Sequence, residues 1–263
     1  MLSIQRRNEI KNKLWAQRSV TVSELAEHFN VSRETIRRDF DALEAEGFLT
    51  KAYGGAMLKK RVKSEANYEV LSEIFVENKQ RIAKKAADFI YPGECIFLDC
   101  STTVMRLVHE IKERSLIVIT NSFKVLQELT ESSNIKLISI GGELNLKTYA
   151  FEGRLAEQYI SHFHLDKAFI SCRALSIQKG LSDKDEEEAW IHRAVIENAN
   201  AVYLLADHNK FDKVTFMRIC DFDNITGVIT DFKLPEEWKE FFHSKNIAFY
   251  ECGALDMGKD LEI

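Results

Sequence analysis

Long apolar runs are missing from this chain of 263 residues. A bilayer-spanning helix needs about 20 consecutive apolar residues, so no membrane contact is expected. The opening Met1-Leu2-Ser3-Ile4-Gln5-Arg6-Arg7 lacks the apolar stretch of a secretory signal, and a cytoplasmic protein is expected. Cysteine is sparse as well. Cys95, Cys100, Cys172, Cys220 and Cys252 are odd in number and widely scattered, which excludes a disulfide framework and points to reduced, mostly buried thiols. His162, His164, His192 and His208 share no ligand spacing, so structural or surface roles are expected for them and neither metal nor cofactor is implied. Internal repeats and low-complexity tracts are absent too.

What is present suits a globular chain. Hydrophobic residues make up 45%, enough for a substantial core, and the length admits one large domain or a small plus a medium one. Charge divides unevenly: residues 1–63 hold 13 Lys plus Arg against 8 Asp plus Glu, whereas residues 64–263 hold 23 against 33. A basic reader joined to an acidic body would look like this.

The segment from Val31 to Gly47 predicts a helix. Ser32 is placed to cap it, Gly47 stands where a left-handed C-terminal residue is wanted, and Ile36, Phe40 and Leu43 share one face. Glu34, Arg37, Arg38 and Asp41 take the other face. Two arginines early in a short helix suit major-groove entry, where guanidinium groups fork onto guanine or phosphate; an ordinary solvated helix would carry the same charges. The neighbours decide in favour of DNA. A helix is expected over Ser3–Arg18, Thr21 and Glu24 frame a capping box for a second helix over Val22–Phe29, and the short link Asn30-Val31 forces a sharp crossing into the third. Residues 48–58, with Gly54-Gly55 at the turn, read as a hairpin wing.

These residues resemble a known family. Thr35-Ile36-Arg37-Arg38-Asp39, followed by Leu43, Gly47 and Gly54-Gly55-Ala56, looks like the winged helix-turn-helix of the DeoR family of bacterial transcription regulators. Lys51 and Tyr53 stand where that family usually has Arg and His, and Lys51 would hold a phosphate as a point charge. The DNA-contacting set is therefore Ser32, Arg33, Glu34, Thr35, Arg37, Arg38, Lys51 and Tyr53, with Arg33 and Glu34 as candidates for operator-specific contacts.

The basic run Lys59-Lys60-Arg61-Val62-Lys63 serves equally as a solvated linker or a phosphate contact. One helix is expected from about Leu71 to Ile90, turning Ile74, Phe75, Ile82, Ala86 and Phe89 inward and ending at Pro92-Gly93. Beyond it, seven short β-rich runs, at 95–98, 116–119, 136–140, 168–170, 201–205, 227–230 and 248–250, alternate with helix-length segments. That alternation predicts a mainly parallel sheet covered on both faces, with ligand groups at the carboxyl ends of its strands. The first strand runs into Asp99-Cys100-Ser101-Thr102-Thr103 at the start of a helix, which is either an anion site or a set of helix caps. Thr120-Asn121, Gly141-Gly142 and Asp207-His208-Asn209-Lys210 end other strands, and their convergence favours a site.

This half resembles the DeoR-family sugar-phosphate sensor domain, which is similar in fold to ribose-5-phosphate isomerase. The resemblance rests on Leu98-Asp99 with Thr102-Thr103, Thr120-Asn121-Ser122, Gly141-Gly142, Gly180-Leu181-Ser182-Asp183, Glu188-Ala189, Asp207 with Lys210-Phe211, and Thr230-Asp231. It implies that residues 99–103 hold a phosphate and that Asn121, Arg173, Asp183, Asp207 and Lys210 line the sugar end, with Gly141 and Gly142 nearby. The family's Ser-Gly before the Thr pair is Cys100-Ser101 here. Its Gly-x-Asp ahead of Gly180 is Ala174-Leu175-Ser176, leaving Arg173 as a donor for anionic oxygens. A thiol beside a helix start can become acidic, so Cys100 carries a secondary redox reading.

The organisation expected is an α/β protein: a winged helix-turn-helix over 1–58, a linker over 59–70, and a mainly parallel effector domain of the ribose-5-phosphate-isomerase-like type over 71–263. The function expected is a repressor of a carbohydrate-utilisation operon, binding double-stranded DNA as a homodimer or homotetramer and relieved by a phosphorylated sugar. The alternatives are a sugar-phosphate isomerase with a DNA-binding appendage and a regulator whose second domain binds nothing. Acid–base chemistry beside a carbonyl needs a carboxylate at the reacting carbon, and Asp166-Lys167-Ala168 runs directly into a strand, so no catalytic residues are assigned.

Overall fold

The computed structural model describes residues 1–59 and 68–255, which form two compact units, Met1–Val76 and Glu77–Ile263. Lys60, Arg61, Val62 and Lys63 of the basic run lie outside the described residues.

The first unit comprises α1 (Ser3–Gln17), β1 (Ser19–Thr21), α2 (Val22–His28), α3 (Arg33–Ala45), β2 (Leu49–Ala52) and β3 (Gly55–Leu58). Ser32 caps α3 by accepting from the Thr35 amide at 3.1 Å, and Thr21 caps α2 by accepting from Glu24 at 3.1 Å. Gly47, at φ +76°, ends α3, and the Phe48 amide closes the turn onto the Leu43 carbonyl at 3.0 Å. Ile10, Leu14, Leu25, Ile36, Phe40 and Leu43 are fully buried between the three helices.

The wing has three strands rather than the two expected, because β1 pairs antiparallel with β3 to give the order β1-β3-β2. Three residues are too few to announce themselves by alternation. The glycine pair meets two separate needs. Gly54 makes the turn at φ +76°, whereas a Cβ on Gly55 would lie 2.3 Å from the Val20 carbonyl oxygen of β1.

The single helix expected over 71–90 is two, α4 (Tyr68–Ser72) and α5 (Val76–Ala87). Phe75 breaks it at φ +53°, with its amide donating to Asn12 Oδ1 at 2.8 Å. Ile74 and Phe75 are buried in the core of the first unit, whereas Ile82 and Ala86 are buried in that of the second. Residues up to Val76 cluster with the first unit. Periodicity marks apolar faces but not which core each face joins, and here the burial of two large side chains outweighs helical continuity.

The second unit is built on β4 (Cys95–Leu98), β5 (Leu116–Thr120), β6 (Ile135–Ser139), β9 (Leu165–Ile170), β12 (Ala199–Leu205), β14 (Gly227–Phe232) and β15 (Ala248–Leu255), all parallel, in the order β15-β14-β12-β9-β4-β5-β6. All seven expected strands are present. Alternate residues divide the core: Ile96, Leu98, Val118, Phe169 and Leu205 pack on one face with α5, α6 (Thr102–Ile111) and α7 (Phe123–Leu129). Phe97, Ile119, Ala168, Ile170 and Leu204 face the other side, with α8 (Arg154–Ile160), α9 (Glu186–Asn198) and α10 (Glu236–Ser244). Two small antiparallel sheets were not foreseen: β7 (Glu143–Asn145) with β8 (Ala150–Glu152), and β10 (Ala174–Ser176) with β11 (Gly180–Asp183) and β13 (Met217–Cys220).

From β4 the chain runs outward one way through β5 and β6, then returns to β9 and runs the other way through β12, β14 and β15. The direction reverses between β4 and β9. In parallel sheets the crevice beyond the strand ends at such a reversal is open to ligands.

Candidate functional site

On the reader, α3 exposes Arg33, Glu34, Arg37 and Arg38, while Ile36, Asp39 and Phe40 turn inward. Glu34 lies 3.6 Å from Arg37 and 3.7 Å from Arg38, so the free protein holds both guanidinium groups loosely on one face. Ser32 and Thr35 are engaged with each other at the cap, their hydroxyl oxygens 2.9 Å apart. Asp39, part of the shared motif, does not face outward; it is buried against Arg6 of α1. Lys51 is tied to α3, with its ammonium 2.6 Å from Asp41 and 3.1 Å from Glu44, and these carboxylates, Asp41 first, raise its pKa. Tyr53 at the tip of the wing is fully exposed.

At the reversal point of the sheet, Asp99 follows β4. Its Oδ1 accepts from the Ser101 amide at 2.8 Å and its Oδ2 from the Ser171 amide, after β9, at 2.6 Å. One carboxylate thus braces both lips of the crevice. His192 of α9 approaches the same Oδ2 at 3.3 Å; burial pulls its pKa down, but the hydrogen bond and charge of Asp99 outweigh that and raise it. Ser101 caps α6 by accepting from Val104 at 3.1 Å, leaving Thr102 and Thr103 in the first turn. Next along, Thr120 donates to the Leu98 carbonyl at 2.6 Å, and Asn121 is buried with no hydrogen-bond partner for Oδ1 among the described residues. Gly142, at φ +109°, passes so close to β8 that a Cβ would lie 2.4 Å from the Glu152 carbonyl oxygen, and Gly141 is left-handed at φ +66°. Both have backbone roles.

Two acids lie near Cys100. Cys100 donates toward Glu188 at 3.7 Å, and Glu188 is hydrogen-bonded to Asp183. Burial first, then the Asp183 charge, pushes the Glu188 carboxyl well up from its ordinary range. Burial also drives the Cys100 thiol well up, with Glu188 and Asp99 adding to the effect. The acidic, redox-active Cys100 considered from the sequence is therefore corrected: desolvation and neighbouring carboxylates overrule the helix start.

Charged groups of both signs follow β9 and β12. Lys210 donates to the Cys172 carbonyl at 2.6 Å, Asp207 caps the turn His208–Lys210 by accepting from Asn209 at 3.0 Å, and Arg173 follows Cys172 in the chain. Sequence reasoning missed Lys79. It is buried in the first turn of α5 within electrostatic reach of Asp207, Lys210, Arg106 and Arg173. Desolvation lowers its pKa to about 7, Asp207 opposes the fall, and the three other cations add to it. A signal was present, since Lys79 shares the helix face of Ile82, Ala83 and Ala86. Beside it, Asn78 donates to Asp231, which also accepts from His208 through the backbone amide and Nδ1, each at 2.7 Å. Burial would raise Asp231, but His208 holds its carboxyl low.

A winged reader carrying an arginine-rich third helix, followed by a doubly covered parallel sheet with charged groups around its reversal point, defines a two-domain DNA-binding transcription regulator. Residues 6–62 match the DeoR-like helix-turn-helix domain and residues 74–232 the DeoR C terminal sensor domain. The chain belongs to the DeoR family. It is 36% identical over 231 residues to the uncharacterized HTH-type transcriptional regulator YulB of Bacillus subtilis, covering 88% of this chain and 90% of that one. It is 34% identical to a lactose phosphotransferase system repressor of Staphylococcus epidermidis, at 88% and 93% coverage, and 30% identical to the L-fucose operon activator of Haemophilus influenzae, also at 88% and 93%. The relatives are regulators, and the enzyme reading falls with them. No helix among the described residues is long and apolar enough to cross a membrane.

Proposed function

We propose that the chain represses a carbohydrate-utilisation operon in the cytoplasm and is released from its operator when a phosphorylated sugar binds at the strand ends of the second unit. What supports this reading is chain position: Ser101, Thr102 and Thr103 follow β4 at the start of α6, Asn121 follows β5, Arg173 follows β9, and Asp207 and Lys210 follow β12, all beyond the carboxyl ends of parallel strands next to the reversal braced by Asp99. Helix N-terminal amides and cations suit the phosphate, whereas the carboxylates of Asp183 and Glu188 suit sugar hydroxyls as acceptors. The relatives named for lactose and L-fucose systems support a sugar-linked role.

Arg33, Glu34, Arg37 and Arg38 enter the major groove, with Ser32, Thr35, Lys51 and Tyr53 against the backbone. One such reader contacts too little DNA for useful specificity, so a homodimer or homotetramer engages paired half-sites. Ligand and operator then oppose each other through one coupling factor, felt equally from either side.

A panel of sugar phosphates tests this by melting temperature and by turnover. A stabilising shift without turnover is expected from at least one of them; silence across the panel sinks the sensor, and turnover restores the enzyme.

A further inference from the structure

The seven-stranded sheet ends in two unlike edges. β6 has five residues and carries an exposed Lys136, a charge that discourages further strand pairing. β15 runs for eight residues without lysine or proline, and no strand pairs with its outer side among the described residues. The Ala248 amide donates inward to the Thr226 carbonyl at 3.1 Å, so alternation turns the amides and carbonyls of Phe249 and Glu251 outward. Beside this edge a groove of about 690 Å³ is lined by Lys84, Lys85, Asp88, Tyr250 and Cys252. Phe249, Tyr250 and Cys252 are only half-buried, whereas every residue of the neighbouring β14 is buried.

We propose that β15 pairs antiparallel with β15 of a second copy of this chain across a two-fold axis at Tyr250, joining the sheets of two effector domains into one. The inference rests on the homo-oligomer reading under Proposed function and gives that assembly a surface. Charge selects a second copy as the occupant. Lys84 in the last turn of α5 and Asp88 just past it are exposed and opposite in sign, so antiparallel two-fold packing sets each against its complement. The strand itself selects the register. Centring on Glu251 would set like charges face to face, whereas centring on Tyr250 sets Glu251 opposite the partner's Phe249. Glu251 keeps its bond from the Leu234 amide at 2.9 Å in that arrangement. Phe249 and the partner's Glu251 then exchange both backbone hydrogen bonds, and the two Tyr250 residues form a non-hydrogen-bonded pair with Cα atoms about 4.5 Å apart.

Light scattering and sedimentation of the full-length protein over a concentration series read the assembly. Glu251→Pro removes one outward amide from each chain and spares the ladder to β14. It is expected to raise the dissociation constant at least about tenfold, the scale of two lost hydrogen bonds, while Glu251→Gln, which keeps the amide, stays within about threefold. Asp88→Lys is expected to weaken the assembly and Lys84→Asp combined with Asp88→Lys to restore it, a recovery that a damaged fold would not give. Tyr250→Cys in a Cys252→Ser background is expected to form a disulfide across the axis on mild oxidation, because Cα atoms about 4.5 Å apart lie within disulfide reach. An assembly unchanged by Glu251→Pro and Asp88→Lys, with no disulfide at position 250, overturns the inference and leaves oligomerisation to another surface. A wild-type chain that stays monomeric throughout overturns the homo-oligomer as well. One that associates only once residues 256–263 are removed assigns the edge to the chain's own end and likewise overturns the inference. Should Glu251→Pro fail to fold, the charge exchange and the crosslink decide on the same terms.

Discussion

Arg6 and Asp39 meet inside the reader through two hydrogen bonds, Nε to Oδ2 at 2.6 Å and Nη2 to Oδ1 at 3.2 Å. The pair ties α1 to α3 with both groups buried. Within the shared Thr35–Asp39 motif the arginines thus face solvent while the aspartate fixes the helix that presents them. Arg6→Ala leaves a buried carboxylate without a counter-charge, a loss of about 3–5 kcal/mol. Calorimetry should show early melting of the reader and lost operator binding, with the sugar-phosphate response of the second unit retained.

Arg37→Ala and Arg38→Ala should each weaken operator binding by about 1–3 kcal/mol without altering the melting temperature. Lys51→Ala should cost less, because Asp41 and Glu44 already offset the Lys51 charge before DNA arrives. Gel-shift titrations over a salt series read both, and a shallower salt slope marks each lost phosphate contact. Undiminished affinity in both arginine variants would remove α3 from the groove.

Thr102→Ala and Lys210→Ala should leave operator affinity intact and blunt its release by sugar phosphate. The response to added ligand in a DNA-binding assay is the readout. A full response in both variants would move the effector site away from the β4 and β12 strand ends.

Lys79 gives a pH signature. Its pKa is about 7 in the folded chain against an ordinary 10.5. Between these values the unfolded chain holds a proton that the folded one has released, so this residue's contribution to stability rises with pH across that window. The melting-temperature difference between wild type and Lys79→Met should therefore shift in favour of wild type from pH 7 upward. Anion binding favours the charged lysine and should weaken over the same range; below it, protonation of the phosphate itself, near pH 6, acts the other way. A pH-independent difference would mean that Lys79 does not titrate there.

Much of this was legible from residues alone. The caps at Thr21 and Ser32, the left-handed Gly47 and the seven strands follow from local chemistry and short-range pattern. What escaped is what depends on distant partners. Asp39 reads as one more outward charge until Arg6, 33 residues away, is placed beside it. Lys79, Asn78 and His192 acquire meaning only where separate strands end together, and Phe75 looks like a helical residue until two cores compete for it.

That competition has a consequence for how the regulator can be set. At Phe75 the main chain adopts a left-handed conformation that a bulky residue ordinarily avoids, and a side-chain amide from Asn12 stands in for a helical carbonyl. The bend is thus an alternative to one uninterrupted rod, bridging α4 and α5, whose sequence is already amphipathic. Asn12→Leu would withdraw the substitute acceptor and tilt the choice toward the rod, visible as a gain in helical circular dichroism. A single carboxamide would then decide whether the backbone at Phe75 bends or stays helical.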